Sequence, residues 1–241
     1  MVVALSAEPF TEEQTRPILD EFYREGSALV PNVLTAEEVA GLRAKTDAIA
    51  DAPESVDERH IFSVYDAFVL RRGHEVDPLF ESMIHRQPIY GLMEAVLGSN
   101  AAFNALNVIR NQPGQAISRW HIDDTLEHPL PDDIPRFDPR IRMPVLWMTV
   151  QVALSDIEAI EHGPTQYVPE SHYSGRHPVS QDDPAFEGRA PVSIFCKAGD
   201  IYFTNHQTWH RGAPNTSDRT RYVMQLQYAR AWADRRFRGV A

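Results

Sequence analysis

The ten residues from 145 to 154 read Val-Leu-Trp-Met-Thr-Val-Gln-Val-Ala-Leu. Every even position is apolar, whereas the odd positions include Trp147, Thr149 and Gln151. Because successive residues of a β-strand face opposite ways, the pattern predicts a buried strand with one apolar face and one polar face. Buried polar groups need hydrogen-bond partners, and these can be water, backbone or a ligand in the mouth of a barrel. The polar face of the strand therefore borders either on water or backbone groups or on a ligand in the barrel mouth.

Further short runs of β-forming residues flank this strand on both sides. Turn-forming residues separate them, and 11 of the 18 prolines lie between Pro113 and Pro191. Many short strands joined by turns that contain Pro or Gly indicate a β-sandwich or a β-barrel. We predict a mainly β fold, a cupin-like jelly-roll barrel (double-stranded β-helix). Its strands are expected at 101–110, 116–122, 144–154, 165–168, 192–196, 200–204 and 221–229.

The first hundred residues have the periodicity of helices. Thr11 and Thr35 each begin a capping-box pattern, with Gln or Glu three residues later and an amphipathic segment behind it. Two more helical pieces are predicted within 78–97, with a break at Pro88. A short strand is expected at 27–30, after the first helix.

The length of 241 residues suits one large domain. We expect residues 1–241 to form a single domain, in which a mostly helical flank (1–100) packs on the jelly-roll core (101–241).

The formal charge of −11 disfavours nucleic acid as a partner, because phosphate binding needs a basic surface. No apolar run is long enough to cross a membrane, and no secretory signal is evident. The sequence leaves monomer and homodimer open.

The single cysteine, Cys196, excludes an internal disulfide framework. It lies in a predicted strand, so we interpret it as a core residue. A protein without disulfides fits a reducing compartment, and we expect a cytoplasmic location.

His121 and Asp123 form a His-x-Asp motif at the end of a predicted strand, and His210 follows another. The motif by itself arises readily by chance, so its position beside strands is what gives it weight. Two imidazoles and one carboxylate on one face of a metal are typical of non-haem Fe(II), with positions left for O₂ and an organic co-substrate. Arg221 opens the last predicted strand, and its planar guanidinium suits a carboxylate of that co-substrate. His206 is the one rival metal ligand.

Residues 123–142 form a predicted loop with four prolines and no periodicity. A loop of this length in a compact domain is usually a lid or an unstructured connection. Because it begins at a proposed metal ligand, we expect a lid, with His128, Arg136 and Phe137 as candidate substrate contacts.

Several short motifs occur in a fixed order across most of the chain. They are the segment 20–33, Leu97-Gly98, Gln112-Pro113-Gly114, Trp120-His121-Ile122-Asp123, Ala153-Leu154-Ser155-Asp156, His162-Gly163-Pro164, Val168-Pro169-Glu170-Ser171-His172, and His210 with Asn215, Ser217 and Arg221. No single motif is decisive, but in their order and spacing they together resemble the phytanoyl-CoA dioxygenase family of Fe(II)/2-oxoglutarate-dependent oxygenases.

The resemblance implies Fe(II) held by His121, Asp123 and His210, with 2-oxoglutarate and O₂ as co-substrates. It implies that Arg221 binds 2-oxoglutarate, with Gln151 and Asn107 as further co-substrate contacts. The reaction would be decarboxylation of 2-oxoglutarate to succinate and CO₂, coupled to oxidation of a C–H bond.

The sequence departs from the family pattern at four places. Ile122 stands where Gln is common, and Gln151 stands where relatives often have Trp. Gly212 replaces a Ser that often shares the co-substrate carboxylate with the Arg, so Arg221 needs another helper. Glu170 replaces a Gly before Ser-His, which indicates a different loop at that point. We expect His172, in the same turn, to make a structural hydrogen bond.

The substrate is expected to be a small molecule, such as a biosynthetic intermediate or a modified amino acid. A CoA ester is disfavoured because no Lys/Arg cluster awaits its phosphates. Hydroxylation is the default outcome; desaturation, ring formation and epimerisation use the same ligands, and Asp123 argues against halogenation. The alternatives are a metal-binding jelly roll without oxygenase activity, a Zn²⁺-dependent hydrolase and a metal-free scaffold. Arg221 distinguishes an oxygenase from a hydrolase, because a hydrolase has no need of a buried arginine eleven residues after its last metal ligand.

Overall fold

The computed structural model describes residues 8–115, 119–123 and 125–237. Within them, five α-helices and ten strands follow in the order α1 (Glu12–Glu25), β1 (Ser27–Val30), α2 (Ala36–Asp51), β2 (Ile61–Val64), β3 (Ala67–Leu70), α3 (Pro78–Glu81), α4 (Ile89–Leu97), β4 (Ala102–Asn111), β5 (Trp147–Ala153), β6 (Thr165–Tyr167), β7 (Val192–Ser193), β8 (Ile201–Asn205), β9 (His210–Gly212), β10 (Arg221–Ala229) and α5 (Asp234–Phe237).

The strands form two antiparallel sheets. The major sheet has the order β1-β8-β5-β10-β4-β3-β2, and the minor sheet has the order β7-β6-β9. The predicted mainly β jelly roll with helices at its N-terminal side is confirmed. Strand β10 lies in the middle of the major sheet, paired with β4 on one side and β5 on the other.

Helices α1 and α2 begin, and α1 ends, where the sequence places their signals. The side-chain hydroxyls of Thr11 and Thr35 accept backbone N–H bonds at the starts of α1 and α2, and both capping boxes are complete. Gly26 ends α1 in the left-handed conformation with φ of 83°. A Cβ there would lie 2.5 Å from the Thr208 hydroxyl and 2.6 Å from Nδ1 of His172, so only glycine fits this junction.

The alternation of β5 separates the core from a cavity, as the sequence predicts. Its even residues join the large apolar core with Phe22 of α1, Leu42 of α2 and Leu92 of α4. Its odd residues Trp147, Thr149 and Gln151 line a cavity between the two sheets. The helices therefore cover one face of the major sheet, and the site lies on the other.

Two of the elements near the site differ from the prediction, and a third lies only partly within the described residues. The hairpin of β2 and β3 was not predicted, because its strands are short and lie in a helix-rich region; it extends the major sheet beside β4. The predicted strand 192–196 is reduced to Val192–Ser193. Part of the predicted strand 116–122 lies outside the described residues, and His121 makes an isolated bridge to His210.

His172 makes the structural contact that we expected. Its Nε2–H donates to the Tyr23 carbonyl at 3.2 Å, and burial lowers its pKa to about 4. The imidazole of the unfolded chain takes up a proton near pH 6.5, whereas that of the folded protein resists protonation until the pH is near 4. This contribution to stability is fully present above pH 6.5 and is lost as the pH falls toward 4.

We expect the free energy of unfolding of the wild type to fall by about 2–3 kcal/mol more than that of His172→Asn between pH 7.5 and pH 4. Urea titrations at several pH values measure this difference. Parallel pH dependence in the two proteins would show that His172 is protonated equally well in both states.

Candidate metal centre and co-substrate pocket

His121, Asp123 and His210 come together at the wall of the cavity. One ligand atom from each lies within 4.8 Å of the others, and no other group of three potential ligands is found among the described residues. The Oδ1 of Asp123 is 3.5 Å from the Nε2 of each imidazole. The three residues that the sequence proposed as metal ligands are thus near neighbours.

Backbone hydrogen bonds fix the two histidines relative to each other. His121 and His210 exchange N–H···O bonds of 3.0 and 2.9 Å across their bridge, which sets their rings 4.3 Å apart. The Nδ1 of His121 lies 2.6 Å from the Arg119 carbonyl, and the Nδ1 of His210 lies 2.9 Å from the Thr208 carbonyl. Because each Nδ1 faces a carbonyl, it carries the proton and leaves Nε2 as the free donor for a metal.

Asp123 is held as a carboxylate. Burial alone would raise its pKa, but the nearby imidazoles, above all the charged form of His210, hold the pKa of Asp123 well below its usual range. Burial likewise opposes the charged form of His210, whereas the Asp123 carboxylate raises its pKa. The donor set is two imidazole nitrogens and one carboxylate, which suits non-haem Fe(II).

His206, the rival ligand, points away from this group. Its Nε2 lies 3.1 Å from the carboxylate of Glu127, and its side chain is buried. Its backbone carbonyl accepts the N–H of Asp123 at 2.9 Å. His206 therefore supports the loop that carries Asp123 from behind.

Arg221 is buried at the inner end of the same cavity, 5 % exposed. Its Nη2 donates to the hydroxyl of Thr165 at 3.3 Å, and its Nε is buried without a hydrogen-bond partner. A buried guanidinium with an unsatisfied N–H calls for an acceptor, and a carboxylate fits its fork. The pocket therefore suits the far carboxylate of a dicarboxylic co-substrate.

The hydroxyl that Gly212 lacks comes from the neighbouring strand. Thr165 faces Gly212 in the register of β6 with β9, and its Oγ1 is 2.9 Å from the Tyr202 hydroxyl. Burial raises the pKa of Tyr202, so this hydroxyl stays protonated and can donate. The sequence marked a strand at Thr165, but only the pairing of two strands distant in the chain reveals this helper.

Gln151 and Asn107 both line the cavity, in one row across the major sheet. Gln225 pairs with Gln151 on one side and with Asn107 on the other, and its amide donates to Gln151 at 3.3 Å. The Oδ1 of Asn107 accepts the backbone N–H of Arg72 at 3.0 Å. Sequence reasoning missed Gln225, although its even spacing from Arg221 on one strand places both on the same face.

The mouth of the cavity is formed by the hairpin of β2 and β3. Phe62, Val64, Val69 and Arg71 lie in its wall, and the cavity volume is about 430 Å³. No sequence signal pointed to these residues, because the hairpin itself was not predicted.

The segment 125–142 does not contribute a described residue to the cavity wall. Phe137 packs on the cluster around Trp120, Tyr173 and Trp209, and its N–H donates to the Tyr173 carbonyl at 2.8 Å. The ring of His128 lies 6.5 Å from that of Phe137. The expected substrate contacts of these side chains are therefore wrong for this structure, because they pack behind the metal ligands.

Arg136 and Glu170 explain how this segment is held. Arg136 donates to the Glu170 carboxylate at 2.8 Å and also pairs with Glu187. Glu170 has a left-handed φ of 64°, and its second oxygen pairs with Arg189. The glutamate that replaces the family's glycine thus joins the segment to the body of the protein. The lid predicted for 123–142 is, over its described part, a packed wall.

Comparison with known proteins identifies the family. The sequence profile of phytanoyl-CoA dioxygenase (PhyH) matches residues 22–223. The chain belongs to the phytanoyl-CoA dioxygenase family. Members of the phytanoyl-CoA dioxygenase family depend on Fe(II) and 2-oxoglutarate, and the donor set and the buried arginine described above fit both groups.

Among curated proteins, an uncharacterized protein of Mycobacterium tuberculosis is 20 % identical over 210 residues, which cover 86 % of this chain and 72 % of the relative. Among solved structures, the non-heme alpha ketoglutarate dependent epimerase SnoN from nogalamycin biosynthesis superposes with a TM-score of 0.71 at 21 % identity, covering 92 % of this chain and 85 % of SnoN. HygX from Streptomyces hygroscopicus, solved with nickel, 2-oxoglutarate and hygromycin B, superposes with a TM-score of 0.69 at 16 % identity. The superposition covers 92 % of this chain and 88 % of HygX. These likenesses establish the shared fold.

None of the described helices has the length and apolar character that a membrane span requires.

Proposed function

We propose that this member of the phytanoyl-CoA dioxygenase family is an Fe(II)/2-oxoglutarate-dependent dioxygenase that oxidises a small molecule. The observation that carries the proposal is the shared cavity. Its wall contains the His121, Asp123 and His210 group and, at its inner end, the buried Arg221. A metal and a carboxylate co-substrate would thus be held side by side, with the cavity mouth left for the substrate.

The roles of the chain's residues follow from their surroundings. His121, Asp123 and His210 would hold Fe(II), and Arg221 with Thr165 would hold the far carboxylate of 2-oxoglutarate. Gln151 and Asn107 would contact the co-substrate or substrate from the floor of the cavity, with Gln225 between them. When bound, iron with 2-oxoglutarate supplies the power to oxidise a C–H bond with O₂, releasing succinate and CO₂. The protein's part is to position the substrate carbon and to exclude competing reductants.

Hydroxylation is the proposed outcome. SnoN is an epimerase, and SnoK is a carbocyclase, both from nogalamycin biosynthesis, so this fold also supports other outcomes. Asp123 fills the position that a halide needs, which argues against halogenation. By analogy with those proteins, we propose a biosynthetic intermediate as substrate.

A Zn²⁺-dependent hydrolase is the main alternative from another class. It would use the same three ligands, but it gives no role to a buried guanidinium with an unsatisfied N–H. The arrangement of Arg221 and Thr165 therefore favours the oxygenase.

We also propose that residues 1–241 work as one oxygenase domain. Helix residues and sheet residues share one apolar core, and β1, β2 and β3 from the first hundred residues complete the major sheet. Cys196 is buried and unpaired, which supports the proposed reducing, cytoplasmic location.

The proposal is tested in two stages. First, anaerobic protein with Fe(II) and 2-oxoglutarate should develop a charge-transfer absorption that Zn²⁺ does not give. Second, a panel of small molecules is screened for stimulated succinate release, and the product mass is measured. A product one oxygen heavier supports hydroxylation, loss of two hydrogens supports desaturation or ring formation, and an unchanged mass supports epimerisation. Failure to bind 2-oxoglutarate would contradict the proposal.

We expect Phe62, in place of the predicted lid residues, to couple the decarboxylation of 2-oxoglutarate to the oxidation of the substrate. With a substrate from this panel, Phe62→Ala should raise the ratio of succinate to product by at least about threefold, because the C–H bond is no longer held in place. The matched control is Phe137→Ala, which removes the same ring outside the cavity and should leave the ratio unchanged. Equal ratios in both variants and the wild type would show that the hairpin does not position substrate.

A further inference from the structure

We propose that Gln227, in the cavity wall, accepts a hydrogen bond from the substrate and thereby selects small molecules that carry a hydroxyl or an amine. The two groups share one chemistry, an O–H or N–H that donates to the amide oxygen. This inference rests on the function proposed above for the same cavity. It adds a specificity-determining residue and one polar feature of the substrate.

The strand alternation of β10 directs Gln227 toward the cavity. The even residues from Tyr222 to Tyr228 join the large apolar core, whereas Arg221, Gln225 and Gln227 lie in the cavity wall. Gln227 comes six residues after Arg221, which corresponds to about 20 Å of extended strand. The two side chains therefore start from opposite ends of the cavity.

The metal ligands lie nearer to the Arg221 end. Arg221 donates to Thr165, which faces Gly212 in the pairing of β6 with β9. His210 is two residues from Gly212 on β9, a separation of about 7 Å along the strand. A co-substrate held between Arg221 and the metal would occupy this part of the cavity, which leaves the end at Gln227 to the substrate.

The amide of Gln227 is buried and lacks a hydrogen-bond partner on its oxygen. The residue is 7 % exposed, and its Oε1 accepts no hydrogen bond from any described residue. In the neighbouring row, by contrast, the Gln151 oxygen accepts from Gln225 at 3.3 Å. The Asn107 oxygen accepts from the backbone of Arg72 at 3.0 Å. A buried acceptor without a donor is rare and unfavourable, so a donor supplied by a ligand gains more at Gln227 than at its neighbours.

The strand neighbours of Gln227 explain why its oxygen is free. On β4 the opposite residue is Ala105, whose methyl group is no donor, and the register shifts directly after this pair. On β5 the opposite residue is Thr149, which lines the cavity but does not donate to this amide. The terminal torsion of a glutamine amide is soft. The oxygen can therefore turn toward a donor in the cavity without breaking a hydrogen bond to a described residue.

The test compares probes that differ in one donor. Small cyclic and arylalkyl alcohols are paired with the fluorides of the same skeletons, and primary amines are paired with their trimethylammonium salts, which keep the charge without the N–H. All are titrated by calorimetry into protein loaded with Ni²⁺ and 2-oxoglutarate. In the wild type, at least one alcohol or amine should bind about tenfold or more tightly than its paired probe, which corresponds to about 1.4 kcal/mol. The tighter of the two donors identifies the natural group.

Variants assign the preference to the residue. Gln227→Met keeps the length of the side chain without a strong acceptor, so each pair should bind with affinities within about twofold. Gln227→Glu keeps an acceptor and should retain the preference for donors, with a gain for the amine over the alcohol. The matched control is Gln112→Met, because Gln112 is exposed and lies outside the cavity. It should keep the full preference.

The outcomes separate this inference from the proposed function. Binding of Ni²⁺ and 2-oxoglutarate is measured first in the same samples, and its absence in the wild type would contradict both. If both bind but no alcohol or amine binds better than its paired probe, or no probe binds at all, the inference alone is wrong. A preference that survives Gln227→Met would equally overturn it. Loss of 2-oxoglutarate binding in Gln227→Met would also do so, because Gln227 would then belong to the co-substrate pocket.

Discussion

Replacing His210 by alanine should abolish Fe(II)-dependent turnover and weaken Fe(II) binding by more than about 100-fold. His210 supplies an Nε2 that faces the Asp123 carboxylate at 3.5 Å, and deleting one of three ligands leaves an open site with too few donors. His121→Ala and Asp123→Ala should have the same effect. Equilibrium dialysis measures iron binding independently of activity, and thermal unfolding shows whether the fold is retained.

His206→Ala is the matched control for this prediction. Its imidazole points to Glu127, and the carbonyl that holds the Asp123 N–H remains in alanine. We expect iron binding to change by less than about tenfold, with a loss of stability from the buried ring. If His206→Ala removes iron and His210→Ala does not, the ligand assignment is wrong.

Replacing Arg221 by glutamine should raise the KM for 2-oxoglutarate about thirty-fold or more and leave the Kd for Fe(II) near its wild-type value. Losing one partner of a desolvated charge pair costs roughly 2–5 kcal/mol, and Arg221 is buried beside Thr165. Arg221→Lys should recover only part of the affinity, because lysine is a point charge without the fork. Initial rates of succinate release over a range of 2-oxoglutarate concentrations give the KM.

Two further variants define this pocket. Thr165→Val removes one neutral hydroxyl and should raise the KM about three- to tenfold, in keeping with the smaller net value of such a hydrogen bond. Arg219→Ala is the control, because Arg219 is exposed and lies outside the cavity. Equal damage from Arg219→Ala and Arg221→Gln would contradict the assignment of Arg221.

Local signals in the sequence determined the helices and most strands. The capping boxes at Thr11 and Thr35, the break at Pro88 and the alternation of 145–154 depend on neighbours within a few residues, so no tertiary information was needed. The alternation also predicted which face of β5 borders on the cavity. The metal ligands and Arg221 could be proposed because each stands beside a strand signal, and because their motifs follow one another as in the phytanoyl-CoA dioxygenase family. Their roles stay predictions until the variants are measured.

Only the tertiary structure decided which distant residues complete the cavity. Thr165 faces Gly212 and reaches Arg221 because β6 pairs with β9, and Arg71 reaches the mouth because an unpredicted hairpin extends the sheet beside β4. The segment 125–142 became a packed wall because Arg136 and Glu170 meet across the fold. Sequence patterns report the period of a single element, whereas strand pairing and ion pairs between remote segments arise when burial brings those elements together. The sequence thus determined the layers and the proposed ligands, and the packing of the layers decided the helper of Arg221 and the residues at the cavity mouth.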